Sequence, residues 1–191
     1  MPRTASLAAL VLLAPALLAQ DKAAPAPTPS TPIIAVAASS FGYARAMLLQ
    51  SAQKMPEVNF SFKPVETVRS FGQILGHVAD ANNEACSVVL GEKNPQPEIE
   101  KTKTAKSDLI AALQASFELC ARAHASMNEA TAVANVQVWG QSLPRLGILL
   151  ANDSHTLEHY GNLITYMRIK GIVPPSSEQA PPPPPPPAEK K

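Results

Sequence analysis

The sequence has no excess of charge of one sign. Its 191 residues carry 16 Lys and Arg against 15 Asp and Glu. Proteins that bind nucleic acid through the phosphate backbone concentrate Lys and Arg, because these side chains displace counterions. No basic arm or patch of that kind is present, so we expect neither a nucleic-acid partner nor electrostatic steering of a ligand.

The sequence also lacks a hydrophobic run of membrane-spanning length. A Leu/Ala-rich stretch runs from Leu7 to Ala19, follows the basic Arg3 and is interrupted by Pro15. Fewer than about 18 consecutive apolar residues are too short to cross a bilayer comfortably, and this pattern is typical of a secretory signal peptide. We therefore predict a signal peptide over residues 1–20, export to the periplasm or the cell exterior, and no membrane span after cleavage. A membrane anchor is the alternative interpretation.

Proline is scarce in the middle of the chain. Of 20 prolines, six precede Ile33 and nine follow Ile172, which leaves five in residues 33–173. That middle part supplies the apolar residues for one core, and we predict a single domain there. Residues 21–32 are rich in Pro and Ala and are expected to form a solvated linker. Residues 174–191 contain seven consecutive prolines and predict a disordered polyproline tail.

Alternation of apolar and polar residues, the mark of a β-strand, is almost absent from the domain outside Val136 and Val138. Four segments instead show helical spacing of apolar residues between Pro, Gly and polar breaks. We predict an all-α four-helix bundle, with Ser107 as a candidate cap of the third helix and Pro144 in the first turn of the fourth. The predicted helices are residues 33–55, 70–90, 105–127 and 142–170.

The only two cysteines are Cys86 and Cys120, near the ends of the second and third predicted helices. Both lie on the predicted inward faces. An even pair of cysteines in an exported protein is typical of a disulfide, which would stabilise this fold by roughly 3 to 4 kcal/mol. The alternative is two small buried side chains that never meet.

Two of the four histidines, His155 and His159, lie four residues apart in the fourth predicted helix. Their side chains are about 40° apart on one helix face, an arrangement in which two imidazoles can bind one cation. His77 in the second helix is the candidate third ligand, and the adjacent Gly76 would permit close helix approach. The alternative is a chance pair on a solvated helix face for His155 and His159, and an ordinary partly buried histidine for His77. His124 has no partner at ligand spacing and is expected to be structural.

In the His-Glu-x-x-His motif of the zincins the glutamate directly follows the first histidine. Here Glu158 directly precedes the second histidine, so the pattern is not that motif. Glu158 could orient a ligand or a metal-bound water, and a solvated glutamate is the alternative. The sequence shows no convincing general base, and Glu158 or Asp80 would have to serve as one. Zn²⁺ or Ni²⁺ suits three nitrogen ligands, and the residues do not discriminate between the two ions.

Three stretches of the chain resemble the DinB-like family of four-helix bundles, a bacterial group described as metalloenzymes. They are residues 66–77, 155–162 and 166–175, and the resemblance extends over about residues 35–175. It implies an up-down-down-up topology. It also implies a metal triad of one histidine on the second helix and two on the fourth, which here are His77, His155 and His159.

The resemblance further implies metal-dependent chemistry on a small-molecule substrate. Relatives include transferases and isomerases that use mycothiol, bacillithiol or glutathione, but these thiols are cytosolic and conflict with the predicted export. We therefore expect a metal-dependent enzyme of hydrolase or transferase type with an unknown substrate. The alternative is a non-catalytic module that binds metal or another ligand, and a homodimer is left open.

Overall fold

A computed structural model describes residues 31–178. The predicted signal peptide, most of the predicted linker and residues 179–191 lie outside these residues. In chain order the elements are α1 (Pro32–Lys54), a 3₁₀ turn (Glu57–Asn59), α2 (Phe71–Leu90), α3 (Ile99–Thr102), α4 (Lys106–Ala125), α5 (Glu129–Val133), β1 (Asn135–Val138), β2 (Gln141–Pro144), α6 (Arg145–Ile169) and α7 (Pro175–Glu178). The four long helices, α1, α2, α4 and α6, confirm the predicted all-α class.

Helix α2 is capped at both ends by residues suited to that role, whereas α4 has no side-chain cap at its start. The Ser70 side chain accepts the backbone N–H of Gln73, and the Gln73 side chain accepts the backbone N–H of Ser70 in return. Gly91 ends the helix with a φ of 71°, a conformation in which glycine carries no steric cost. Helix α4 begins after Ala105 without a side-chain cap, so the proposed capping role of Ser107 is wrong. Ser107 already lies inside the first turn.

Helices α2 and α4 lie side by side and run in the same direction. The Asn82 amide of α2 donates to Ser116 Oγ of α4 over 3.1 Å. Four residues further along both helices, a disulfide joins Cys86 to Cys120, and both residues are fully buried. Because the contacts advance together along the two helices, their orientation is parallel.

Helix α6 runs antiparallel to α2. Near the end of α6, the Tyr166 hydroxyl donates to the carbonyl of Arg69, which precedes α2, over 2.8 Å. Nearer the start of α6, the Asn152 amide donates to Asn82 Oδ1 over 2.8 Å, and both asparagines are buried. Later positions on α6 therefore meet earlier positions on α2.

Helix α1 is parallel to α6 and antiparallel to α4, and it packs against both. Its last residue, Lys54, pairs with Glu178 beyond the end of α6. The Lys106 ammonium at the start of α4 donates to the carbonyl of Met55 at the end of α1 over 2.7 Å. The directions of α1, α2, α4 and α6 are thus up, down, down and up, as the family resemblance implies.

The start of the fourth long helix differs from the prediction. Residues 141–144 form strand β2, which pairs antiparallel with β1, and α6 begins at Arg145 with Pro144 as its N-cap rather than in its first turn. The hairpin turn consists of Trp139 and Gly140, with φ values of 50° and 73°. Two successive positive φ values are typical of the turn that matches the twist of paired strands. The Trp139 indole also donates to Glu84 Oε1 of α2 over 2.9 Å, which places the hairpin against the bundle.

The predicted tail begins with structure. Helix α7 occupies Pro175–Glu178, and the Tyr160 hydroxyl of α6 accepts the backbone N–H of Ser176 over 3.0 Å. The bundle therefore extends a few residues beyond the boundary predicted at 173.

In the described part of the chain, α1 is the one helix whose length and composition would allow it to cross a membrane. Eight of its residues are buried, among them Phe41 and Leu48. Five of the eight belong to one cluster with the apolar side chains of α2, α4 and α6; they are Ile34, Phe41, Met47, Leu48 and Ala52. In this structure α1 therefore packs as a core helix of the bundle.

We predict that replacing both cysteines by alanine lowers the free energy of unfolding by about 3 to 4 kcal/mol, because the crosslink closes a loop between positions 34 apart in sequence. Urea denaturation of the oxidised wild type and the Cys86→Ala/Cys120→Ala variant measures the difference. The wild type under reductant serves as the control and should approach the variant. A loss below about 1 kcal/mol would show that the bridge contributes little.

Candidate metal centre

The three predicted ligand histidines meet between α2 and α6. His77 lies in the second turn of α2, and His155 and His159 lie one turn apart on α6. The Nε2 atom of His155 lies 3.1 Å from Nε2 of His77 and 3.0 Å from Nε2 of His159. The antiparallel packing of the two helices therefore brings together imidazoles that are 78 positions apart in sequence.

A divalent cation fits this arrangement. The potential ligand atoms of the three histidines all lie within 4.8 Å of one another, and zinc–nitrogen bonds are about 2.0–2.1 Å long. A ring nitrogen either donates one hydrogen bond or accepts one, so His155 Nε2 can satisfy only one of its two close neighbours. A shared cation that accepts all three lone pairs would resolve the remaining contact. The three histidines could therefore hold a metal ion.

All three imidazoles are in the form that binds metal. Loss of hydration on burial lowers the pKa of each below the ordinary value of 6.5, and lowers the pKa of His159 to about 4. The positive charge of Arg69 acts in the same direction on each ring. The site is therefore neutral at pH 7, with lone pairs available for a cation.

Glu100 is a component of the site that sequence reasoning missed. Its Oε2 lies 3.3 Å from Nδ1 of His77, and its Oε1 accepts the Nε–H of Arg69 over 2.9 Å. A carboxylate beside Nδ1 favours the tautomer with the proton on Nδ1. Nε2 then keeps its lone pair for a metal ion, and the ring orientation is fixed. No motif points to Glu100 in the sequence, because it lies 23 residues after His77, in the short helix α3.

The chain holds Glu100 in place through three local features. The Asp80 carboxylate accepts the backbone N–H groups of Ile99 and Glu100 over 2.7 and 2.9 Å. Ile99 is fully buried. Gly76 has no Cβ, and a Cβ there would lie 2.7 Å from Glu100 Cα, so only glycine permits this approach. The close approach that Gly76 permits is therefore between α2 and α3, and not between α2 and α6.

The outer nitrogens of the other two rings have different surroundings. Nδ1 of His159 lies 3.3 Å from the side-chain amide of Asn162, one turn further along α6. If Nε2 of His159 binds a metal, Nδ1 carries the proton and donates a hydrogen bond. The side-chain amide of Asn162 would then have to present its oxygen, rather than its nitrogen, to Nδ1. Nδ1 of His155 is buried and has no hydrogen-bond partner among residues 31–178.

The remaining sequence candidates lie in separate places. Glu158 is exposed and lines a cleft beside the histidines. Both carboxylate oxygens of Asp80 accept backbone N–H groups of α3, so Asp80 is not free to act as a general base. His124 is buried away from the triad, stacks on Phe41 with ring centroids 4.5 Å apart, and lies 3.4 Å from Asp153.

The cleft beside the triad has a volume of about 740 Å³ and a polar lining. His159 forms part of its wall, so a molecule in the cleft can contact that member of the triad. The other lining residues come from the connection before α2, from the start of α2, from α3 and from the second half of α6. They are Lys63, Pro64, Glu66, Thr67, Val68, Arg69, Gln73, Ile74, Glu100, Glu158, Asn162 and Tyr166. The volume is that of an ordinary small-molecule site.

Comparison with known sequences decides the family. The sequence model of the DinB superfamily matches residues 40–163, which include all three histidines. The chain belongs to the DinB superfamily. No curated protein sequence matches it.

Solved structures of DinB-like proteins share the fold. A DinB-like protein from Bacillus cereus ATCC 10987 superposes with a TM-score of 0.65 at 14% identity, covering 73% of this chain and 93% of that one. A DinB-like protein from Bacillus subtilis gives a TM-score of 0.59 at 23% identity, covering 71% and 92%. A conserved protein from Enterococcus faecalis gives 0.61 at 14% identity, covering 73% and 98%. At these identities the likeness establishes the bundle of this superfamily member and not its chemistry.

We predict that Glu100→Ala weakens zinc binding about 10- to 100-fold, because His77 loses the carboxylate that orients its ring. Competition titration with a chromophoric chelator measures the dissociation constant. Glu66→Ala is the matched control, since Glu66 lines the same cleft but its side chain is 90% exposed and pairs with Lys63. Equal losses in the two variants would contradict an orienting role for Glu100.

The lowered histidine pKa values predict a pH-dependent stability of the metal-free protein. Between pH 6.5 and about 4 the unfolded chain binds protons that the folded His159 does not. The free energy of unfolding should therefore fall as the pH decreases through this window. Above pH 6.5 the full contribution of the neutral His159 to stability should be retained. Urea denaturation at a series of pH values measures the slope, which should be smaller in His159→Gln. An unchanged slope in that variant would contradict the assignment.

Proposed function

We propose that this DinB superfamily member is an exported metal-dependent enzyme of hydrolase or transferase type that acts on a small molecule. The observation that carries the proposal is the meeting of three neutral imidazoles, one of which, His159, lines a cleft of about 740 Å³. His77, His155 and His159 would hold the ion. Zn²⁺ or Ni²⁺ suits three nitrogen ligands.

A divalent ion held there would supply Lewis-acid chemistry, because three neutral ligands leave its charge uncompensated and a coordination position open. The protein's own groups would do the rest. Oε2 of Glu100, 3.3 Å from Nδ1 of His77, would favour a proton on Nδ1 and so leave Nε2 free for the ion. Glu158 lines the cleft with no hydrogen-bond partner among the described residues, so its carboxylate is the group available to accept a proton from a substrate.

Two observations support the export component of the proposal. Residues 1–20 have the composition of a signal peptide. The Cys86–Cys120 disulfide is a kind of crosslink that persists in oxidising compartments and is rare in the cytosol. A reaction that needs a cytosolic thiol fits such a compartment poorly, which favours hydrolysis or transfer to another acceptor.

We predict that the chain, purified without a histidine tag, retains about one equivalent of divalent metal per molecule. His155→Ala should retain less than about a tenth of an equivalent, since one ligand of three is lost. Mass spectrometric metal analysis measures both. His124→Gln is the matched control, because His124 lies outside the triad and its loss should leave the metal content per folded molecule unchanged.

The same variants separate an enzyme from a binding module. The metal-loaded wild type is screened for hydrolysis and group transfer, and an enzyme loses activity in both His155→Ala and Glu158→Gln. Metal binding without any turnover would favour the non-catalytic module. Failure of the wild type to take up Zn²⁺ or Ni²⁺ on titration would overturn the metal site itself.

A further inference from the structure

Arg69 is fixed at both ends beside the triad. Its carbonyl accepts the Tyr166 hydroxyl over 2.8 Å, and its Nε–H donates to Glu100 Oε1 over 2.9 Å. Within residues 31–178 its two terminal nitrogens, Nη1 and Nη2, have no hydrogen-bond partner, and 44% of the side chain is exposed. The arginine therefore presents an oriented pair of unused donors, and it does so at the wall of the cleft.

Arg69 lies next to the metal ligands through Glu100. Its Nε–H donates to Oε1 of Glu100, and Oε2 of the same carboxylate lies 3.3 Å from Nδ1 of His77. Arg69 and His159 also line the same cleft. A molecule that contacts Nη1 and Nη2 from within the cleft would therefore lie near the triad. The positive charge of Arg69 acts in the same sense, because it helps to lower the pKa of all three rings.

The other charged groups of the cleft leave Arg69 as its free cationic donor. Lys63 Nζ lies 2.6 Å from Oε2 of Glu66 and pairs with it. Glu100 contacts Arg69 at Nε and leaves Nη1 and Nη2 free. Of the three carboxylates that line the cleft, Glu158 alone has no cationic partner among the described residues. Two cations and three carboxylates line the cleft, a sum of −1, and a divalent ion on the triad changes that sum to +1.

We propose that the cleft binds its small-molecule substrate through an oxyanion group, a carboxylate or a phosphate, seated on Nη1 and Nη2 of Arg69 beside the histidine triad. This inference names the substrate class for the proposed function and rests on it. The end of a guanidinium matches two oxygens of a carboxylate or phosphate in a bidentate hydrogen bond.

Glu100 limits where an anion can bind on Arg69. With Nε occupied, Nη1 and Nη2 are the donors left for an anion in the cleft that Arg69 lines. Because the Nε contact already orients the guanidinium, less side-chain freedom is lost on binding. Glu100 thereby serves two groups at once, since one of its oxygens orients His77 and the other orients Arg69.

The test is calorimetric titration of inorganic phosphate, and separately of acetate, into the full chain with and without zinc. We expect phosphate or acetate to bind the zinc-loaded wild type, and Arg69→Gln to weaken that binding about tenfold with the zinc content unchanged. Arg69→Lys keeps the positive charge but lacks the paired donors of the guanidinium. Its affinity should lie between that of Arg69→Gln and that of the wild type. Lys63→Gln is the matched control for a cation on the same wall and should change affinity less than about twofold.

The outcomes separate this inference from the proposed function. Equal affinity in the wild type and Arg69→Gln, or equal losses in Arg69→Gln and Lys63→Gln, would overturn the Arg69 subsite while zinc binding stands. Absence of zinc uptake would overturn the proposed function, and the metal-free titrations would still test Arg69. Tighter binding of acetate assigns the subsite to carboxylates, and tighter binding of phosphate assigns it to phosphates.

Discussion

The antiparallel packing of α2 against α6 is the constraint on which the rest of the molecule depends. Inside the bundle a buried hydrogen bond between Asn82 and Asn152 fixes the register of the two helices. A buried asparagine without its partner is costly, so this pairing disfavours other registers. Closer to the surface the same register places His77 opposite His155 and His159. A shift of one turn along either helix would separate the histidines by about 5.4 Å.

The site combines groups whose protonation states support one another. Burial keeps the three imidazoles neutral, which is the state that binds a cation, while Glu100 and Arg69 form an ion pair at the outer edge. A carboxylate placed directly among the imidazoles would have raised their pKa values and favoured imidazolium. Here its charge is shared with a guanidinium, and only one oxygen faces His77.

Sequence reasoning predicted the long helices and the three histidines because both follow from local periodicity. Apolar spacing defined the helices to within about three residues, and His155 and His159 share a face through the helical repeat alone. The hairpin was missed at β2 because Pro144 suits the start of a helix, and only the positive φ values at Trp139 and Gly140 reveal the turn. Glu100 could not be predicted, since its position depends on Asp80 and Gly76 of α2 and on the buried Ile99 of α3, which lies beyond an irregular connection.

The central claim is that one cation shares the Nε2 atoms of His77, His155 and His159. Crystals of the full chain grown with zinc, with diffraction data collected on both sides of the zinc absorption edge, test it most directly. We expect the strongest anomalous peak between α2 and α6, about 2.0–2.2 Å from each of the three nitrogens. A triad without a peak, with zinc bound only to carboxylates elsewhere, would contradict it.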